Sequence, residues 1–364
     1  LLAPARAPVS FEQLVRQAGE TARHLHDLGI ERETTIAMVM PDGAQMASAF
    51  LRVSAAAACM PIHPALRAAE IERLFAGSPP GALLVPAGSS SPAVRIALRD
   101  RIPVIESDDQ GALAGIVARV QPRNDQPGPD DPLLVLHTSG TSAGPKAVTL
   151  RHRHVLAAAR AIGEVLELAP ADRCLSVMPL FHIHGLSAIV ASLLAGASAV
   201  CPTDFSAPRF FEQLDEFQPT WYTASPAIHR AIVDEARRHR SRPVRSSLRF
   251  IRSASSAMPR DLAHELEELF QVPLIEAYGM TEAGPQIASQ RLPPCERKRG
   301  SVGRAAGPAV AIFDAAGDAL PANTAGEIAI RGENVCSEGW LRTGDAGYLD
   351  DDGDLFVTGR LIDV

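Results

Sequence analysis

Short apolar runs alternate along this chain with segments whose apolar residues recur at helical spacing, and that rhythm admits few folds. Residues 35–40 read as a short apolar strand, and helical segments follow near 44–57 and 68–75. Strands buried on both faces, each followed by an amphipathic helix, build a parallel sheet with helices on both sides. The first helix has the clearest boundaries. Ser10 and Gln13 form a capping-box pair; Phe11, Leu14, Val15, Ala18, Ala22, Leu25 and Leu28 recur at helical spacing; Gly29 closes the segment.

Residues 121–132 turn to Pro, Asp, Asn and Gly, the composition of a solvated connector. They divide a first α/β subdomain, 1–120, from a second, 133–300. In the second, apolar strands near Arg173, Ser198, Thr220, Leu248 and Pro273 alternate with helices near Arg153, Gly185, Pro208, Pro226 and Pro259. A second doubly wound sheet is expected there. From about Ser301 the pattern changes to short strands and turns, with a tight turn over 350–353, and predicts a small β subdomain over 301–364.

With 364 residues and 46% hydrophobic content, the chain can bury a large core. A formal net charge of −7 argues against a nucleic-acid surface, which collects Lys and Arg to displace counterions. The longest apolar run, 186–200, contains a glycine and three serines and falls short of the roughly 20 residues a spanning helix needs. It is expected to be a buried helix and strand, not a membrane span. The sequence shows neither a starting Met nor an export leader, so the expected setting is the cytoplasm, with the sequence beginning just inside a longer one. Five cysteines without close pairs suggest buried thiols, neither a disulfide framework nor a zinc cluster.

Residues 138–146, Thr-Ser-Gly-Thr-Ser-Ala-Gly-Pro-Lys, follow the apolar run 133–136. Glycines let backbone N–H groups approach an anion, hydroxyls add donors, and a lysine supplies positive charge. The loop is not that of ordinary ATPases, because Pro145 replaces the glycine before the lysine and Ala147 offers magnesium no hydroxyl. The same residue types also compose an ordinary polar turn between strands.

The loop resembles the signature of the adenylate-forming superfamily, which includes acyl-CoA synthetases, aryl-CoA ligases, luciferases and peptide-synthetase adenylation domains. Four further blocks agree in order: Met-Pro-Leu-Phe-His-Ile-His-Gly-Leu from 178, Glu-Ala-Tyr-Gly-Met-Thr-Glu from 276, Thr-Gly-Asp-Ala-Gly-Tyr from 343 and Thr-Gly-Arg from 358. Residues near 181, 221–226 and 252–255 are similar to the branch of small-acid and fatty acyl-CoA synthetases. The resemblance implies an N-terminal adenylation core: two doubly wound, mainly parallel sheets packed with helices (αβαβα), then a small distorted β-barrel. It also implies that the mobile C-terminal domain, with its adenylation lysine, lies outside this sequence, so that this chain binds ATP and acid but forms adenylate poorly.

The resemblance further implies ATP-dependent activation of a carboxylic acid for transfer to the thiol of coenzyme A or of carrier-protein phosphopantetheine. Thr138, Ser139, Gly140, Thr141, Ser142 and Lys146 would hold phosphates; Glu282 would hold Mg2+ and Thr281 a phosphate. Tyr278 would face adenine, whose edge is read by backbone near Glu276 and Ala277. Asp345 and Arg360 would bind ribose. Ser253, Ala254, Ser255, Gly279 and Pro285 would line the nucleotide and acyl pocket, with His182 its wall or gate. His182 and His184 would face the same way if on a strand, which invites a metal reading without a third ligand. The basic run 237–245 is an ordinary solvated loop or a docking point for a carrier protein or coenzyme A phosphates.

Three departures stand out. Ile362 replaces the usual hinge Asp or Lys, 335–340 is short, and Gly284-Pro285 stands where the oxalate-activating branch often has a histidine. Two alternatives stay open: a loading adenylation domain of a polyketide or peptide assembly line, and a non-catalytic nucleotide-binding regulator.

Overall fold

Apolar runs separated by helices form the middle of two sheets in the computed structural model, which describes residues 1–108, 113–115, 127–138, 146–239 and 244–361. The chain divides into two units. The first holds residues 1–153, 179–186 and 201–204, and the second holds 154–178, 187–200 and 205–364.

In the first unit lie β1 (Thr35–Met38), β2 (Ala58–Pro61), β3 (Ala82–Pro86), β4 (Val104–Ser107), β5 (Leu113–Gly115), β6 (Pro132–Thr138) and β7 (Lys146–Arg151), in the order β5-β4-β3-β1-β2-β6-β7. The five inner strands are parallel, and β5 and β7 pair antiparallel with their neighbours. Ile36, Ala37 and Met38 are wholly buried, as a strand covered on both faces must be. Helices α1 (Phe11–Asp27), α2 (Ala44–Val53), α3 (Ala68–Gly77) and α4 (Pro92–Arg99) alternate with the strands. Ile71 and Phe75 of α3 and Ile96 of α4 pack on Ala37, Met60 and Leu83 in one core.

The expected capping box opens α1: Gln13 N–H donates to Ser10 Oγ, and Ser10 N–H donates to Gln13 Oε1. Its buried stripe is narrower than the sequence suggests. Leu14, Thr21, Leu25 and Leu28 are buried, whereas Phe11 and Val15 are 48% and 73% exposed. At about 100° per residue those two fall on the stripe's solvent edge. Thr21 tolerates burial because Arg52 Nε donates to its hydroxyl at 3.0 Å.

The connector expectation puts residues 133–151 with the second sheet, yet β6 pairs parallel with β2 at Leu134 and Cys59, and β7 pairs with β6. Parallel pairing joins distant segments, so a strand's local sequence does not say which sheet it enters.

The second unit carries β8 (Arg173–Ser176), β9 (Ser198–Val200), β10 (Trp221–Ala224), β11 (Phe250–Ser253), β12 (Leu274–Tyr278), β13 (Ala288–Ser289) and β14 (Arg304–Ala305), ordered β14-β13-β12-β11-β10-β8-β9. The strands from β9 to β12 are parallel and the last two antiparallel. Helices α5 (His152–Val165), α6 (Ile183–Leu194), α7 (Ala207–Phe217), α8 (Pro226–His239) and α9 (Arg260–Phe270) alternate with them. The 186–200 run is thus a helix and a strand, as its interruptions suggest. Phe210, Phe211, Tyr222 and Phe270 form an aromatic core between strand and helices.

An antiparallel meander follows: β15 (Ala309–Phe313), β16 (Gly326–Arg331), β17 (Leu341–Leu349) and β18 (Leu355–Arg360). Its inner residues Ile312, Ile328, Ile330 and Leu355 pack with Ala283 and Ile287, which seats the segment following β12 against the meander. Among the described residues, no helix is long and apolar enough to cross a membrane.

Candidate functional site

Strand β12 delivers Tyr278 to its carboxyl end, the end at which ligands collect in open α/β sheets. There the meander meets it. Register pairs Asp345 on β17 with Arg360 on β18. Arg360 Nε donates to Asp345 Oδ1 at 3.0 Å, and the Tyr278 hydroxyl donates to Oδ2 at 2.6 Å. Three residues singled out separately in the sequence therefore share one hydrogen-bonded cluster. Burial, and then Asp345 itself, hold the Tyr278 hydroxyl well above its usual pKa, so it stays a neutral donor.

Asp345 is fixed from behind as well. Its N–H donates to Thr343 Oγ1 at 3.1 Å, and the Thr343 hydroxyl donates to the carbonyl of Ile328 at 2.8 Å. The carboxylate still has room: its two oxygens offer about four acceptor sites, so two donors leave capacity for a vicinal diol.

After Tyr278 the chain folds sharply through Gly279. A Cβ there would stand 1.4 Å from the carbonyl oxygen of Pro285, so only glycine permits this approach. Thr281 and Glu282 open the short 3-10 turn that follows, both half-buried. The Glu282 carbonyl accepts from Cys336 N–H at 2.8 Å, and its carboxylate makes no ion pair among the described residues. Asn334, buried, donates to the carbonyls of Ala283 and Gln286 at 2.8 and 2.7 Å. Arg252, buried behind the turn, donates to Gln286 Oε1 at 2.9 Å. Asn334, Gln286 and Arg252 were not among the sequence candidates, because each works only by contact with a distant segment.

Ser253 is buried at the end of β11, and its hydroxyl donates to the Met258 sulfur. Ala254 is half-buried, with its N–H on the Ala224 carbonyl at 3.2 Å. Ser255 is exposed and adopts φ +80°, a left-handed conformation that favours glycine. Glu276 and Ala277 lie within β12; the Glu276 side chain enters a cleft of about 500 Å³ with Arg260 and Arg297, and burial pushes its pKa up to about 7, Glu267 adding to the shift.

In the first unit, Thr138 and Lys146 are paired across β6 and β7, so they form the two roots of the proposed phosphate loop. Ser139, Gly140, Thr141 and Ser142 lie outside the described residues, as do Ile362 and part of the basic run. His182 sits in a turn just before α6. Leu180 N–H in that turn donates to Asp42 Oδ1 at 2.9 Å, and Phe181 contacts the rings of both His182 and His63, with centroids 4.6 and 4.3 Å away. Although the residue is exposed overall, desolvation of its ring, which packs against Phe181, and then His63 lower the His182 pKa.

His184 does not face the same way as His182, because residues 183–194 are helical. His184 lies inside the helix and is buried, whereas His182 lies in the turn before it and is exposed. Among the described residues, no group of three His, Cys, Asp or Glu could hold a metal. A magnesium ion that travels with phosphates needs only one or two protein carboxylates, and Glu282 fits that requirement.

The family of AMP-binding enzymes matches residues 4–339. The chain is 35% identical to an oxalate–CoA ligase of Arabidopsis thaliana, over 93% of this chain and 71% of that protein. It is 32% identical to a sulfoacetate–CoA ligase of Cupriavidus necator, over 97% of this chain and 73% of that one. Its fold matches ATP-bound MatB from Rhodopseudomonas palustris with a TM-score of 0.84 and 22% identity, covering 98% of this chain and 75% of that one. The motifs, the fold and these relatives agree: the chain belongs to the AMP-binding enzyme family, within the adenylate-forming superfamily.

Proposed function

We propose that this chain is the adenylation core of an acid–thiol ligase, which activates a carboxylic acid with ATP and passes the acyl group to coenzyme A. The observation that carries this reading is the Tyr278–Asp345–Arg360 cluster at the carboxyl end of β12. A phenol ring beside a fixed carboxylate and a guanidinium suits a nucleoside: the ring for a base face, the carboxylate for sugar hydroxyls.

In the first step a carboxylate oxygen attacks the α-phosphorus, forming the acyl–phosphate bond as pyrophosphate leaves. Thr281 is proposed to donate to the α-phosphate, while the loop of Thr138 through Lys146 holds the leaving pyrophosphate. Magnesium, when bound, would neutralise phosphate charge, with Glu282 as its protein ligand. His182 would border the acid, and Ser253, Ala254, Ser255, Gly279 and Pro285 would make the small-residue wall. Backbone at Glu276 and Ala277 would read the adenine edge. In the second step a thiolate attacks the acyl carbon and AMP departs.

Coenzyme A is favoured over a tethered carrier because the similar relatives described above are named as CoA ligases. Acid-dependent pyrophosphate release by the full-length protein across a panel of carboxylic acids, with thioester formed on adding coenzyme A, tests the proposal. Tight AMP binding without acid-dependent release would instead favour the regulator alternative.

A further inference from the structure

The turn that carries Thr281 and Glu282 is gripped from two sides by residues that reach it across the fold. From the sheet, Arg252 on β11 donates to Thr223 Oγ1 on β10 at 3.2 Å and to Gln286 Oε1 at 2.9 Å, which ties the end of the turn to two strands. From the link between β16 and β17, Asn334 Nδ2 donates to the carbonyls of Ala283 and Gln286, and Cys336 N–H donates to the carbonyl of Glu282 itself. A buried carbonyl left without a donor costs about 1–3 kcal/mol, so these contacts decide which path the turn takes. The Asn334 amide is itself held in one orientation. It is 1% exposed and lies between two glycines: a Cβ added at Gly307 would stand 3.2 Å from its Nδ2, and one added at Gly332 would stand 3.1 Å from its Oδ1.

We propose that Asn334 is a positioning residue for the Glu282 carboxylate: by fixing the carbonyls that follow Glu282, it sets the direction in which that carboxylate meets a magnesium ion travelling with ATP. The proposal rests on the magnesium role given to Glu282 above and deepens it. Groups that orient a metal ligand matter most where the protein supplies few ligands, because no second ligand then corrects a misplaced one. The Glu282 carboxylate makes no ion pair among the described residues that would aim it. What is held is its backbone, at its own carbonyl by Cys336 and one residue further on by Asn334. A site whose supporting contacts are packed and hydrogen-bonded keeps its geometry as the ligand arrives.

The test is calorimetric titration of the full-length protein with ATP, in excess Mg2+ and in EDTA, and with adenosine. No acid is present, so the readout is binding and not turnover. In the parent, Mg2+ is expected to tighten ATP binding about tenfold, and in Asn334→Ala this gain should fall to about twofold or less. Affinities for adenosine and for metal-free ATP should stay unchanged, which a general loss of structure would not allow. Asn334→Asp keeps the shape; its buried carboxyl takes up a proton and offers one donor in place of two, so a gain of about fourfold should remain. That variant decides the matter if Asn334→Ala no longer binds adenosine. Glu282→Gln is the reference and should lose the gain. A parent without the gain, or a Glu282→Gln that keeps it, overturns the magnesium role of Glu282 and this proposal with it. If Glu282→Gln loses the gain while the Asn334 variants keep it, or weaken adenosine and ATP alike, the positioning role alone is overturned.

Discussion

The Tyr278 hydroxyl donates a 2.6 Å hydrogen bond to Asp345, a residue 67 positions further along the chain. The carboxylate's other oxygen takes the Arg360 guanidinium, so Asp345 is the hub between β12 and the meander.

Removing that hub's charge should cost most. Asp345→Asn is expected to weaken AMP binding by about tenfold or more, since hydrogen bonds to charged groups contribute about 1.5–3 kcal/mol. Tyr278→Phe keeps the ring and loses a single donor, so its loss should be smaller, about fivefold. Calorimetry on both variants checks the order; a larger loss in Tyr278→Phe would contradict the assigned roles.

Two glycines separate close approach from helix propensity. Gly279→Ala places a methyl against the Pro285 carbonyl and should destabilise by about 2 kcal/mol or more. Gly163 lies within α5 with nothing within 4 Å of an added Cβ, so Gly163→Ala should stabilise by about 0.5–1 kcal/mol. Urea midpoints with unchanged slopes would report both effects.

Glu276 should make stability depend on pH. Its carboxyl is raised from 4.5 to about 7 by burial, so the folded chain holds a proton that the unfolded chain has released. This contribution is full below about pH 4.5 and is lost as pH rises through 7. Thermal melts of Glu276→Gln should lack that component of the decline; a parallel curve would show that another group causes it.

Asp42 is a positioning residue for the turn ahead of α6. Asp42→Ala removes the acceptor of Leu180 N–H and should raise KM for the acid several-fold, about 1 kcal/mol, with a smaller change in kcat. Asp42→Asn keeps an oxygen in the same place and should restore KM. If both variants behave alike, charge and not geometry is the operative property.

Asp172 tests a structural carboxylate away from any proposed chemistry. It is 4% exposed and takes Arg249 Nε at 3.0 Å, the Thr220 hydroxyl at 2.7 Å and Ala169 N–H at 2.9 Å. Asp172→Ala removes the acceptor of these three donors, while the exposed Arg249 is rehydrated, and should cost about 1.5–3 kcal/mol, read from chemical denaturation.

The sequence by itself determined what depends on neighbours a few residues apart. The Ser10–Gln13 cap, the helix and strand within 186–200 and the strand–helix rhythm are local, because a helix or strand face is set by spacing of three to four or two residues. The chemical blocks were legible for the same reason: Tyr278, Asp345 and Arg360 each stand in a short recognisable string. Tertiary structure alone decided that these three touch, that β6 and β7 join the first sheet, and that Phe11 and Val15 face solvent. It also put His184 inside a helix and His63 beside Phe181. Each of those outcomes is a contact or a burial between segments far apart in the chain, and such pairings are selected by packing over the whole fold, which no local string encodes.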